Sequence, residues 1–225
     1  MKKIFTLIAV AMMALGANAQ MISFTELAAK GSLNGKEFTA GDFKLTITDT
    51  DASGKIAIDA NNAYFGTAEK QIKLTHRLKS GGKSSSKNNL TLTVPSAGVV
   101  KLYARTGSND ATDRNVVFTQ NEQELFNEVM LESNALKVKG LDADDPNNET
   151  NVYPIYSVAV KAGTVAVTYP VNSINFYGFE FVGGDAKVNS VKADAAKVAT
   201  YNLAGQKIKA KKGVVIKNGK KVIKK

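Results

Sequence analysis

Apolar side chains recur at every second position in short runs through the middle of this chain, and that period restricts the fold more than any other feature. Phe43, Leu45 and Ile47 alternate with Lys44, Thr46 and Thr48. Ile72, Leu74, His76 and Leu78 alternate with Lys73, Thr75, Arg77 and Lys79. Leu90, Leu92 and Val94 form a third run, and Val165, Val167 and Tyr169 a fourth. A period of two sends successive side chains to opposite faces, so each run predicts a half-buried strand. Further strands are expected at residues 56–58, 99–105, 115–119, 128–131, 136–139, 152–161 and 174–182. No stretch of the body keeps a 3.6-residue period over three turns, and residues 122–127 read at best as a short turn of helix.

Many short strands joined by Gly/Ser/Asn/Asp loops predict an all-β, two-sheet sandwich rather than a parallel α/β sheet. About ten strands in residues 20–184 favour a jelly roll over a seven-strand immunoglobulin sandwich. The last strand has a phase defect. Ile174 and Phe176 fall on one face, Phe179 and Phe181 on the other. One extra residue near Tyr177-Gly178 would return both pairs to the core, which predicts a β-bulge there.

The two ends differ from this body. Lys2 and Lys3, an apolar run over residues 4–15 and Ala17-Asn18-Ala19 read as a cleavable secretory leader over residues 1–19, leaving Gln20 first. The run is well short of the ~20 residues that span a bilayer, and no transmembrane segment is expected elsewhere. The protein is therefore expected to be secreted, extracellular or on the outer cell surface, with the periplasm as the alternative. From Lys187 onward stand twelve lysines and one acid, Asp194; residues 20–186 hold sixteen basic and nineteen acidic side chains, a net of −3. The basic character thus belongs to a tail over residues 185–225. Turn residues there separate three β-branched stretches, and Asn218-Gly219 is a strong type I′ hairpin signal. Its lysines read either as guards of edge strands or as contacts to an anionic partner. Nucleic acid is not expected, because no aromatics are interleaved with the lysines. The chain has no cysteine and one histidine, His76, which excludes thiol catalysis, cysteine-ligated metal and multi-histidine metal sites.

Two resemblances follow from short motifs. Tyr201-Asn202-Leu203, Gly205-Gln206-Lys207, Lys212-Gly213-Val214-Val215-Ile216 and Asn218-Gly219-Lys220-Lys221-Val222 resemble the C-terminal sorting modules of exported Bacteroidetes proteins, with Val215 where an aromatic is usual. That resemblance implies that the tail engages export machinery. In the body, Arg77-Leu78-Lys79-Ser80-Gly81-Gly82, the strands through Arg105, Arg114-Asn115-Val116-Val117, Ile155-Tyr156-Ser157 and Asn175-Phe176-Tyr177 follow an order similar to jelly-roll, galactose-binding-like carbohydrate-binding modules. Such modules are appended to secreted pectate lyases of gut Bacteroidetes. The parallel β-helix of those lyases is absent, so what the resemblance implies is binding of a polysaccharide or glycan without cleavage.

Candidate site residues follow from what a sugar needs, an aromatic ring for its C–H face and polar groups for its hydroxyls. Tyr64, Tyr103, Tyr153, Tyr156 and Tyr177 are the candidate rings, with Arg105, Arg114 and Asn115 as polar partners. Each tyrosine could equally be a core-edge residue with a wetted hydroxyl. No Trp is present. The acidic loop carrying Asp142, Asp144 and Asp145 is a candidate calcium site, since calcium prefers clustered oxygens. Residues 49–54 copy the first half of an EF-hand loop but place Ala60 at the twelfth position, and they read as a turn. His76 reads as a core or edge histidine, and Gly81-Gly82-Lys83-Ser84-Ser85 as a hairpin loop without phosphate-loop spacing. No constellation reaches a catalytic site. A structural or adhesive surface protein, and a polysaccharide-active enzyme, stand as alternatives to the binding module.

Overall fold

In the computed structural model, residues 7–8, 19–25, 32–50, 56–141, 145, 147–184, 200–201, 207–208, 213–217 and 220–224 are described. The chain divides into two units, residues 1–186 and 187–225. In the first, strands run β1 (Leu7–Ile8), β2 (Ala19–Ser23), β3 (Glu37–Ala40), β4 (Phe43–Asp49), β5 (Ala57–Gly66), β6 (Gln71–Lys79), β7 (Asn88–Val94) and β8 (Gly98–Thr106). They continue with β9 (Asn115–Gln120), β10 (Gln123–Val129), β11 (Leu136–Lys139), β12 (Glu149–Tyr153), β13 (Tyr156–Val160), β14 (Gly163–Thr168) and β15 (Ile174–Gly183). One turn of 3₁₀ helix, Glu132–Asn134, precedes β11. Among the described residues no helix is long and apolar enough to cross a membrane.

The strands form two sheets in a jelly-roll sandwich. The first runs β1-β3-β4-β7-β14-β9-β10; the second runs β11-β12-β5-β6-β15-β8-β13, with β2 also on β15. The alternation read from sequence sets the inner faces. Phe43, Leu45, Ile47, Leu90, Leu92, Val165 and Val167 of the first sheet are fully buried, and they pack against Val100, Leu102, Ile174, Phe176 and Phe179 of the second. Phe43 stacks on Phe181 between the sheets at 5.6 Å. Each such side chain contributes about 1.5–3 kcal/mol on leaving water.

The predicted defect in β15 is present. Its register against β8 shifts between Phe176 and Gly178, so Phe176, Phe179 and Phe181 all reach the main core while Tyr177 does not. Gly178 is required by crowding. A Cβ there would lie 2.7 Å from the Ile22 carbonyl oxygen of β2 and 2.7 Å from the Met21 Cε.

Three expectations are corrected. Residues 122–127 are not helical: Asn121 and Glu122 have φ of 50° and 63° and close a two-residue turn into β10. Positive φ at both turn residues marks a type I′ hairpin, which normally advertises itself with glycine. The strand expected over 152–161 is two strands, broken at Pro154-Ile155, because proline has no N–H to give a ladder. Leu74 and Leu78 share a phase but not a core. The register shift of β5 against β6 between Ala60 and Ala63 lets β5 supply a partner to each, Ala63 beside Leu74 and Ile58 beside Leu78. Leu78 stays in the main core, Leu74 enters a second cluster, and His76 between them is half-buried with Nδ1 3.1 Å from the Thr75 hydroxyl.

The break at Pro154 has a geometric consequence. β13 is one edge of the second sheet, and β12 stands next to the other edge strand, β11. In a flat sheet the five strand spacings between them would cover about 24 Å. Three residue steps from Tyr153 to Tyr156 reach about 10 Å. The second sheet must therefore curl enough to bring the end of β12 close to the start of β13. The curl encloses a second, smaller core of Met21, Ala63, Phe65, Leu74, Tyr103, Tyr153 and Tyr177.

In the second unit β16 (Thr200–Tyr201), β17 (Lys207–Ile208), β18 (Gly213–Lys217) and β19 (Lys220–Lys224) form a separate sheet in the order β17-β16-β18-β19. Lys217 pairs with Lys220, which is the hairpin pairing expected about Asn218-Gly219.

Candidate functional site

The second core and the cavity above it are the best-organised polar region of the body. Alternation along β8 puts Leu102 and Ala104 into the main core and sends Lys101, Tyr103 and Arg105 to the other face. The bulge in β15 aims Tyr177 at the same region, and the register shift in β5 does so for Asn61. Bulges re-aim side chains in this way. Phe65 of β5 sits between the rings, 5.7 Å from Tyr103, 5.8 Å from Tyr153 and 5.2 Å from Tyr177.

Arg105 ties these elements together. Its Nε donates to the Tyr177 hydroxyl at 3.2 Å, and Tyr177 in turn donates to Asn61 Oδ1. Longer contacts of 3.4 Å run from the guanidinium to Tyr153 Oη, Asn61 Oδ1 and Asn109 Oδ1. The guanidinium carbon lies 5.4 Å from the centre of the Tyr153 ring, within cation–π range. Glu132 closes the network from the 3₁₀ turn. Its Oε1 accepts from Tyr153 at 2.6 Å and from Asn151 at 2.7 Å, while Oε2 lies 3.6 Å from Arg105. Glu132 Oε2 and Asn151 Oδ1 are buried and have no hydrogen-bond donor among the described residues. An acceptor left so costs about 1–3 kcal/mol.

A second polar trio lies along the same face. Glu180, nearly fully buried, accepts from Tyr103 at 2.5 Å and from Lys101 at 2.9 Å. Burial, then the bond to Glu180, pushes the Tyr103 phenol well above its ordinary range. Burial and the Glu132 bond raise Tyr153 to about 12, against the opposing effect of Arg105. Burial also raises Tyr177, although Arg105 pulls the other way. For Arg105 burial works against the charge, but the bond to Tyr177 and the electrostatics of Tyr177, Tyr153 and Glu132 outweigh it and raise its pKa. At neutral pH the site therefore presents neutral phenols and a charged guanidinium.

Beside this network lies an open cavity of about 600 Å³, lined by Asn62, Tyr64, Lys73, Arg105, Lys137 and Tyr153 together with residues of β12. Tyr64 is half-buried, donates its hydroxyl to the Leu141 carbonyl at 3.1 Å, and holds the Lys73 ammonium 5.6 Å from its ring centre.

Of the residues singled out from sequence, the fold brings together Tyr103, Arg105 and Tyr177, with Tyr153 and Tyr64. Tyr103 and Tyr177 are about 1% and 0% exposed, so their rings cannot serve as platforms; they form the floor that positions Arg105. Arg114, Asn115 and Tyr156 are not among the cavity's lining residues. Arg114 clamps Ser173 through its carbonyl and hydroxyl at 3.2 and 3.0 Å. Asn115 bonds Asn127 across the β9–β10 hairpin at 2.7 Å, and the Tyr156 ring meets Phe126 edge-on at 5.7 Å. Asp142 and Asp144 lie outside the described residues. Asp145 is exposed and caps a turn, its Oδ1 accepting from Asn147 N at 3.0 Å. Among the described residues no group of three or more His, Cys, Asp or Glu could hold a metal ion. The residues at 51–54 also lie outside the described ones. Sequence reading missed Asn61, Lys73, Glu132, Lys137 and Asn151. Only Asn61-Asn62 carried a signal, because asparagine pairs are depleted in strands and mark irregularity.

No family model matches the chain, and no curated protein matches it. Among solved structures it is similar to the catalytic unit of a thermostable GH87 alpha-1,3-glucanase from Streptomyces thermodiastaticus strain HF3-3. The TM-score is 0.34 and the identity 12%, covering 64% of this chain and 26% of that one. This chain thus spans about a quarter of the length of that neighbour.

Proposed function

We propose that the body is a non-catalytic carbohydrate-binding module, carried to the cell exterior by a cleavable leader and attached there through its lysine-rich tail. The observation that carries the binding role is the cavity of about 600 Å³ in which a half-buried tyrosine ring, Tyr64, faces a set of fixed polar groups. Sugar sites need that combination, an apolar ring for the C–H face and converging hydrogen-bond groups for hydroxyls. The buried acceptor of Asn151, a residue that lines the cavity, supports the same reading, since such a deficit calls for an explanation other than packing. The exported, surface-attached setting rests on the leader pattern and on the sorting-like motifs of the tail. Calcium at Asp142, Asp144 and Asp145 is carried as part of the same proposal.

A glycan array on the body with its tail, with and without EDTA, tests ligand class and calcium together. Binding lost in Tyr64→Ala, with folding intact by circular dichroism, is the expected result. Binding that survives this substitution would place the ligand elsewhere. Turnover of any bound polymer would replace the module with an enzyme.

A further inference from the structure

We infer that the cavity selects an acidic saccharide, one bearing carboxylates, and that Lys73 and Lys137 read the charge; this deepens the sugar-binding reading and rests on it. The body as a whole is mildly acidic, with sixteen basic and nineteen acidic side chains over residues 20–186. The cavity runs against that bias. Among the described residues its lining carries Lys73, Lys137 and Arg105 and a single acid, Glu149. Lys73 and Lys137 come from β6 and β11, which the continuous pairing β6-β5-β12-β11 brings to the cavity, and Arg105 comes from β8, beyond β15 in the same sheet.

Their surroundings divide the labour. Arg105 is partly committed to Glu132 at 3.6 Å and to the tyrosine hydroxyls, so it works mainly as a fixed anchor. Lys73 and Lys137 are exposed and are in no ion pair among the described residues. Lys73 is held at the Tyr64 ring, which places an ammonium next to the one ring that could take a pyranose face. A uronic acid matches this layout, since its carboxylate and its C–H face belong to the same ring. A neutral sugar would leave the lysines unused, and a charged group with no ring would leave Tyr64 unused. Exposed ion pairs contribute a few-fold each, so two lysines together give about tenfold preference.

The test compares short oligomers of galacturonic acid and of mannuronic acid with their carboxyl-reduced, neutral counterparts, by titration calorimetry on the full mature chain. At least one acidic oligomer is expected to bind about tenfold more tightly than its reduced form. The preference should shrink near 1 M salt, where the Debye length is about 3 Å. The double variant Lys73→Gln, Lys137→Gln should abolish the preference, while Lys161→Gln, outside the cavity, leaves it unchanged. Equal affinity for acid and reduced forms would overturn the charge assignment and leave the sugar-binding reading standing. A preference that persists in the double variant would overturn the assignment to these lysines. Binding to neutral sugars alone contradicts the inference, and binding to no sugar removes both it and the reading beneath it.

Discussion

Gly178→Ala isolates the device that builds the site. Gly178 follows the bulged Tyr177, and β2 runs directly against it, pairing from Gly178 opposite Ser23 to Val182 opposite Ala19. An alanine Cβ would meet the Ile22 carbonyl oxygen and the Met21 Cε, each at 2.7 Å. The methionine can move aside, but the carbonyl belongs to the β2 backbone and cannot shift without disturbing the pairing with β15. Overpacking of this kind costs about 1–3 kcal/mol. The alanine also stiffens the unfolded chain, which returns about 0.4–1 kcal/mol. The net loss should be about 1–2 kcal/mol, a fall in Tm of about 2–8 °C for a domain of this size. Thermal unfolding by circular dichroism measures it, with the near-ultraviolet tyrosine signal reporting on the second core. An unchanged or raised Tm would show that β2 does not pack against the bulge, and the account of how Tyr177 reaches Arg105 would fail with it.

Glu122 holds a left-handed backbone at φ 63° in the β9–β10 turn, which costs a non-glycine residue about 1–2 kcal/mol. Glu122→Gly should therefore stabilise the fold by about 0.5–1 kcal/mol after glycine's own entropy cost; a higher urea midpoint confirms it and a lower one refutes the turn assignment. Burial raises the phenols of Tyr103, Tyr153, Tyr156, Tyr169 and Tyr177. Below the unfolded value of about 10 both states are neutral and this contribution is fully present. Above it the unfolded chain ionises first, so stability should fall as pH rises from about 10 through the folded values, near 12 for Tyr153. Tyrosinate absorbance should then appear together with loss of structure; smooth ionisation of all tyrosines near pH 10 in an intact fold would contradict the burial.

Alternation alone determined a good deal here. It placed Phe43, Leu45 and Ile47 inside, and it put Tyr103 and Arg105 on one face because they are two residues apart. The broken phase of β15 located its bulge, and Asn218-Gly219 located the tail hairpin. All of these are local statements about a single strand or turn, and a strand's two faces are written into its own residues. The turn at Asn121-Glu122 was not legible, because neither residue is glycine and only the pairing of β9 with β10 forces them into positive φ. The site was legible only in part. Lys73 is the direct partner of Tyr64 in the β5–β6 hairpin. Glu132 meets Arg105, and Lys137 comes to line the same cavity as Arg105, across strands whose adjacency no local pattern records. That adjacency follows from the short link at Pro154-Ile155, which draws β12 toward β13 across the second sheet, and only the tertiary structure decides which side chains then share one cavity.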